Sequence, residues 1–245
     1  MNNLSVSIEN SRPFAYSLME NSDFVFSTVP VNIITDYRKC LEQCPRVKAY
    51  LIKTLGIDER SFTTHNIGYC DTSVYENASF EGCITLPLAY DENMVELFGL
   101  IISSAQNDDE KLFFSPSLQP IFTLDAIENV AIKCDTPIDV ITFNERGYKN
   151  TFCEFGGYLS EMTIDELKQM GTSTIVYFTH VLGANFDIEE ASYIAQRYGI
   201  KLCEVNLPFL VRHLGEWDTF QWQLLDKRLT DSLALLGCRN ERYQA

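Results

Sequence analysis

From residue 135 onward, strand-length apolar runs and helix-length amphipathic runs take turns, and that rhythm leaves few folds open to the second half of the chain. "IDVITFNE" (138–145) reads as a strand. "TIDELKQMG" (163–171) reads as a helix capped by Thr163 and ended by Gly171. "TIVYFTH" (174–180) is a strand, "DIEEASYIAQRYG" (187–199) a helix ending at Gly199, and "IKLCEVNLPF" (200–209) a strand. Strands and helices alternating at these lengths predict a parallel sheet with crossover helices. Residues 217–237 read as a last amphipathic helix with Phe220, Leu224, Leu225, Leu229, Leu233 and Leu236 facing inward.

The first half has a different texture. Residues 1–30 show no long period. Residues 31–43 read as a helix with Ile33, Ile34, Tyr37, Cys40 and Leu41 on one face. Pro45 suits the first turn of a second helix that Gly56 ends, and Asp58 caps a third, short one. "IGYC" (67–70) is a turn. "CITLPLAY" (83–90) and "VELFGLIIS" (95–103) are strands joined by a hairpin turn at "DEN", and "LDAIENVAIKC" (124–134) reads as a helix. The expected class is α/β, with an α+β first part. The expected divisions are an N-terminal segment and helix (1–45), a mixed unit (46–134), a parallel-sheet unit (135–215) and a C-terminal helix (216–245).

Composition excludes several functions. At 46% hydrophobic and 12% aromatic residues the chain is globular. Its longest apolar run, "LFGLII", is far short of the ~18 residues that span a membrane. The start, "MNNLSVSIEN", lacks the basic and apolar regions of a signal peptide, so a cytoplasmic location is expected. Eight cysteines occur without a CxxC pair. Cys40 and Cys44 are spaced to share a helix face, but no second ligand pair lies nearby, and reduced thiols are expected. Cys83, Cys134, Cys153 and Cys203 lie in apolar stretches and read as small core residues. No GxSxG, HExxH, GxxxxGK[ST] or GxGxxG pattern is present, and Gly156–Gly157 is a turn signal. Net charge is −15, unevenly spread. Residues 31–60 carry a net +2, whereas residues 61–130 carry −10, with Lys111 the one basic residue there. Such a surface opposes tight binding of a polyanion, which needs Lys and Arg against its phosphates.

The order of the pieces resembles bacterial DnaG-type primases. "VKAYLIKTLGIDERSFTTHNIGYC" is similar to the helix, short helix and "IGYA" turn of that family, and "FEGCITLPLAYDENMVELFGLIIS" resembles its next hairpin. "EKLFFSPSLQPIFTLDAIENV" is similar to the "NSPET" segment and the helix after it. "VITFNERGY" resembles the first strand of the Toprim unit, where the family reads "EGY". "FGGYLSEMTIDELKQM" is similar to "LGTaLTeeQ", and "TIVYFTHVLGANF" to "cFDGDaAG". The resemblance covers roughly residues 46–210. It includes neither the family's zinc-binding unit nor its helicase-binding unit.

What the resemblance implies is a carboxylate cluster that holds magnesium for phosphoryl transfer. On this sequence the strand-end Glu falls on Glu145. The two Asp fall on Thr179 and Val181, with His180 between them, and neither can hold magnesium. Asp187, Glu189 and Glu190 follow as possible replacement ligands, although acids also suit a helix start. Lys111, Arg146 and Lys149 are the candidate anion contacts. The resemblance therefore implies a degenerate Toprim unit without cofactor, in a non-catalytic primase-like protein acting through protein partners in DNA replication or mobile-element maintenance. Two alternatives stay open: an active primase or other Toprim enzyme with Mg2+ on displaced ligands, and an acidic decoy that occupies a DNA-binding protein. Neither tight nucleic-acid binding nor membrane attachment is expected.

Overall fold

The computed structural model describes residues 28–71, 80–91, 94–101, 112–113, 121–154, 159–179, 188–207 and 214–237. Lys111, Gly156, Gly157, His180, Val181, Asp187 and Cys238 lie outside these, so the expectations for them do too.

Among the described residues, the strands form two five-stranded sheets. The first follows the order β1 (Thr28–Pro30), β4 (Met94–Ile101), β3 (Cys83–Asp91), β2 (Gly68–Tyr69), with β5 (Leu112–Phe113) also on β4, and all its pairings are antiparallel. Side chains alternate across it. Cys83, Val95 and Leu97 pack with Tyr37 and Ile34 of α1 (Val31–Gln43). Ile84, Leu86, Phe98 and Leu100 pack on the other side with Leu51 of α2 (Pro45–Lys53) and Phe62 of α3 (Glu59–Thr64). Asp58 caps α3 as its position suggests, accepting from the Arg60 amide at 2.9 Å.

The second sheet runs β10 (Lys201–Asn206), β9 (Thr174–Thr179), β7 (Val130–Cys134), β8 (Thr151–Glu154), β6 (Ile121–Thr123). The first four are mutually parallel and β6 is antiparallel. One face carries Val130, Ile132, Cys134, Val176 and Val205 against α4 (Pro137–Glu145) and α7 (Thr219–Leu235). The other carries Ala131, Phe152 and Ile175 against α5 (Glu161–Gln169) and α6 (Ile188–Arg197). Covered on both faces, the central strands β7 and β9 show no period of two, whereas β10 at the edge alternates between buried and exposed residues.

That is why two elements differ from the sequence reading. Residues 124–134 do not form a helix; their last five residues are the fully buried strand β7. Residues 138–145 do not form a strand; they are the helix α4. Thr136 and Asp139 make a reciprocal capping box and Pro137 occupies the first turn, a start strong enough to override the β-branched run behind it. Two smaller corrections follow. The cap of α5 is Ser160, whose hydroxyl accepts from the Thr163 amide at 3.2 Å. On α7 the buried stripe is Trp222, Leu225, Leu229 and Leu233, spaced three, four and four; Phe220 is out of phase and 67% exposed. Among the described residues no helix is long and apolar enough to cross a membrane.

The sheets are joined through α4. Its Ile138 and Ile141 belong to the core of the first unit, while Val140 and Phe143 belong to that of the second. Thr142, buried, donates its hydroxyl to the Leu55 carbonyl at 3.0 Å. Beside it the 3-10 turn Leu214–Glu216 crosses the chain at Gly56, so closely that a Cβ on Gly215 would lie 2.2 Å from the Gly56 nitrogen.

Candidate functional site

Open parallel sheets bind ligands at the carboxyl ends of their strands, and register shows what stands there. Val130 is opposite Thr174 and Ile132 opposite Val176. Carried forward residue by residue, this brings Asp135 level with Thr179. Cys134 is opposite Cys153, which brings Asp135 level with Glu154 on the other side. Asn206 is opposite Thr179. The rim of the sheet therefore reads Glu154, Asp135, Thr179, Asn206 across four parallel strands. Lys133, Asp135 and Glu154 share parity with Ala131 and Phe152, so they project toward the α5 and α6 side.

The rim is electrostatically unusual. The Lys133 side chain is only 3% exposed, and its ammonium lies 3.6 Å from Asp135 Oδ1. Burial raises the Asp135 carboxyl above its ordinary value, and Lys133 pulls the other way. Asp135 Oδ2 is buried without a hydrogen-bond partner. Glu154, also buried, accepts from the Ser160 amide on both oxygens, at 3.2 and 3.0 Å, and so adds a carboxylate at the start of α5. Burial pushes it up to about 7, against the hydrogen bonds from Ser160 and Thr163 and the charge of Lys133.

Glu145 lies elsewhere. It ends α4, nine residues of helix away from the rim, or roughly 13 Å at 1.5 Å per residue. Its two oxygens accept from the Asp58 amide at 3.0 Å each and from the Ser61 hydroxyl, so it serves the start of α3. Arg146 follows it and stacks its guanidinium 5.0 Å over the Trp222 ring. Lys149 is exposed in the turn before β8. Glu189 and Glu190 are exposed in the first turn of α6. The described cysteines are all free thiols, with Cys134 and Cys153 buried side by side on β7 and β8.

No protein-family model matches the sequence, and neither does any curated protein. Solved structures do. The chain is similar to the Aquifex aeolicus primase zinc-binding and RNA polymerase domains, with a TM-score of 0.63 at 16% identity over 82% of this chain. It is also similar to the E. coli primase catalytic core, with a TM-score of 0.56 at 15% identity, covering 84% of this chain and 86% of that one. A DnaG primase catalytic domain bound to ssDNA gives 0.58 at 14% identity over 89% and 78%. The fold is that of the DnaG-type primase catalytic core. The match spans 59% of the solved Aquifex aeolicus chain, which holds those two domains.

Within a primase-core fold, the carboxylate that ends the first parallel strand is Asp135 and not Glu145, because that strand is β7. The sequence held the signal, since a Thr-Pro-x-Asp helix start at 136–139 forces the strand to end before it. The rim is poorly suited to the magnesium that such a fold implies. Asp135 Oδ2 offers one oxygen, but the same carboxylate already lies beside an ammonium that repels a dication. Glu154 is turned to Ser160. At the end of β9 stands Thr179, which brings no carboxylate. Among the described residues no three His, Cys, Asp or Glu side chains converge to hold a metal. These residues do not fit magnesium, which needs several hard oxygens in near-octahedral order.

Proposed function

We propose that this chain is a primase-like protein that makes no primers and works through a protein partner in DNA replication or in the maintenance of a mobile element. One observation carries the reading: on the strand ends where a primase core would gather carboxylates, Asp135 is engaged by Lys133 and the next strand ends in Thr179. A fold kept without its chemistry is most simply used for recognition. The net −10 of residues 61–130 argues that the partner is not a nucleic acid.

The test is ribonucleotide incorporation on a single-stranded template with Mg2+ or Mn2+. No product above the level of Asp135→Asn is expected; product that this variant abolishes overturns the proposal. A pull-down with DNA as competitor then defines the partner's mode. A partner retained in excess DNA supports a replication-protein contact, whereas one displaced by DNA favours the decoy reading. Single-stranded DNA titrated by fluorescence anisotropy at about 150 mM salt is expected to show no sub-micromolar binding.

A further inference from the structure

We infer that Lys133 is a built-in cation, its ammonium supplying to Asp135 and Glu154 the positive charge that a bound divalent ion would otherwise bring. Three observations carry this. The Lys133 side chain is 3% exposed, and a buried ammonium is tolerated only where carboxylates compensate it. Asp135 lies 3.6 Å from it, two residues on and just past the end of the same strand. Glu154 ends the adjacent strand, level with Asp135, where strand spacing is about 4.8 Å; its carboxyl also feels the Lys133 charge. A lysine stem leaning along the strand toward its carboxyl end delivers the ammonium to this rim.

The inference differs from a plain structural ion pair in one consequence. If Lys133 fills a cation position, removing its charge should leave that position open to an ion. The full chain is melted at pH 8, above the value of Glu154, with and without millimolar Mn2+. The wild-type melting temperature is expected not to move. Lys133→Met should melt several degrees lower and recover most of that loss with Mn2+, and Lys133→Met combined with Asp135→Asn should not respond. An electron paramagnetic resonance titration of Mn2+ should give one bound ion for Lys133→Met and none for the double variant. A Lys133→Met protein that ignores Mn2+, or a wild-type protein whose Mn2+ binding disappears in Asp135→Asn, overturns the inference. Should Lys133→Met be insoluble, refolding yield with and without Mn2+ replaces the melt: a several-fold gain supports the inference and no gain overturns it. These experiments read ion binding by the isolated chain and not primer synthesis or partner capture, so their failure is distinguishable from failure of the functional proposal.

Discussion

Two glutamates in this protein do opposite work with the same functional group. Glu145 is open to solvent and spends its oxygens on the Asp58 amide and the Ser61 hydroxyl, bridging α4 to α3. Glu145→Ala leaves donors at a helix start without that acceptor, and should lower stability by about 1 kcal/mol, measured by urea unfolding. Glu154 is buried, and its carboxyl titrates near 7 rather than at 4.5. The folded chain therefore holds this proton more tightly than the unfolded chain does. The corresponding stabilisation is full below pH 4.5 and is lost as pH rises through about 7. A shift of this size is on the order of 3 kcal/mol. Asp135, also raised by burial, contributes a slope of the same sign. The melting temperature should thus fall between about pH 5 and pH 8, and Glu154→Gln should flatten that fall. A profile equally steep in the variant would assign the slope to other groups.

At the scale of elements, α7 shows what helical phase does. Leu229 is fully buried on its inner stripe, while Phe220 is 67% exposed. Leu229→Ala should cost 2–5 kcal/mol, on the order seen for core leucines, whereas Phe220→Ser should stay within about 0.5 kcal/mol; thermal melts of the two variants decide it. Legibility followed the same physics. Elements with one wet face were readable: α1, α2, α3, α5, α6 and α7 each announce themselves by an amphipathic period or a cap. The hairpin strands β3 and β4 were readable as apolar runs bounded by turn residues. The segment from 124 to 145 was not, because β7 and α4 are apolar almost throughout and period cannot separate a two-sided strand from a buried helix. Only the capping box at Thr136 and Asp139 distinguishes them. Without it, a reading by apolar pattern puts the strand-end carboxylate at Glu145 instead of Asp135 and leaves Lys133 inside an expected helix. β9 is legible because Ile175, Val176, Tyr177 and Phe178 form an apolar run of a strand's length.

At the scale of the molecule, the two sheets are held in one arrangement by α4, which contributes to both cores, and by the crossing of Gly56 and Gly215. Gly215→Ala would place its Cβ 2.2 Å from one backbone atom and 2.5 Å from another, and neither is a flexible side chain. Gly82→Ala meets nothing within 4 Å and bears only the strain of a positive φ. The first should destabilise by more than ~3 kcal/mol and the second by about 1–2; chemical denaturation compares them directly. The crossing also bears on how the chain comes to be folded. More than half of the sequence lies between its two strands of backbone, so the contact closes one of the longest loops in the molecule, and such closures come late. During synthesis the turn at Gly56 leaves the ribosome long before residue 215 arrives to cross it, and it meets α4 first, through the Thr142 hydroxyl on the Leu55 carbonyl. The packing of these two glycines against each other should therefore wait until the second sheet has been translated.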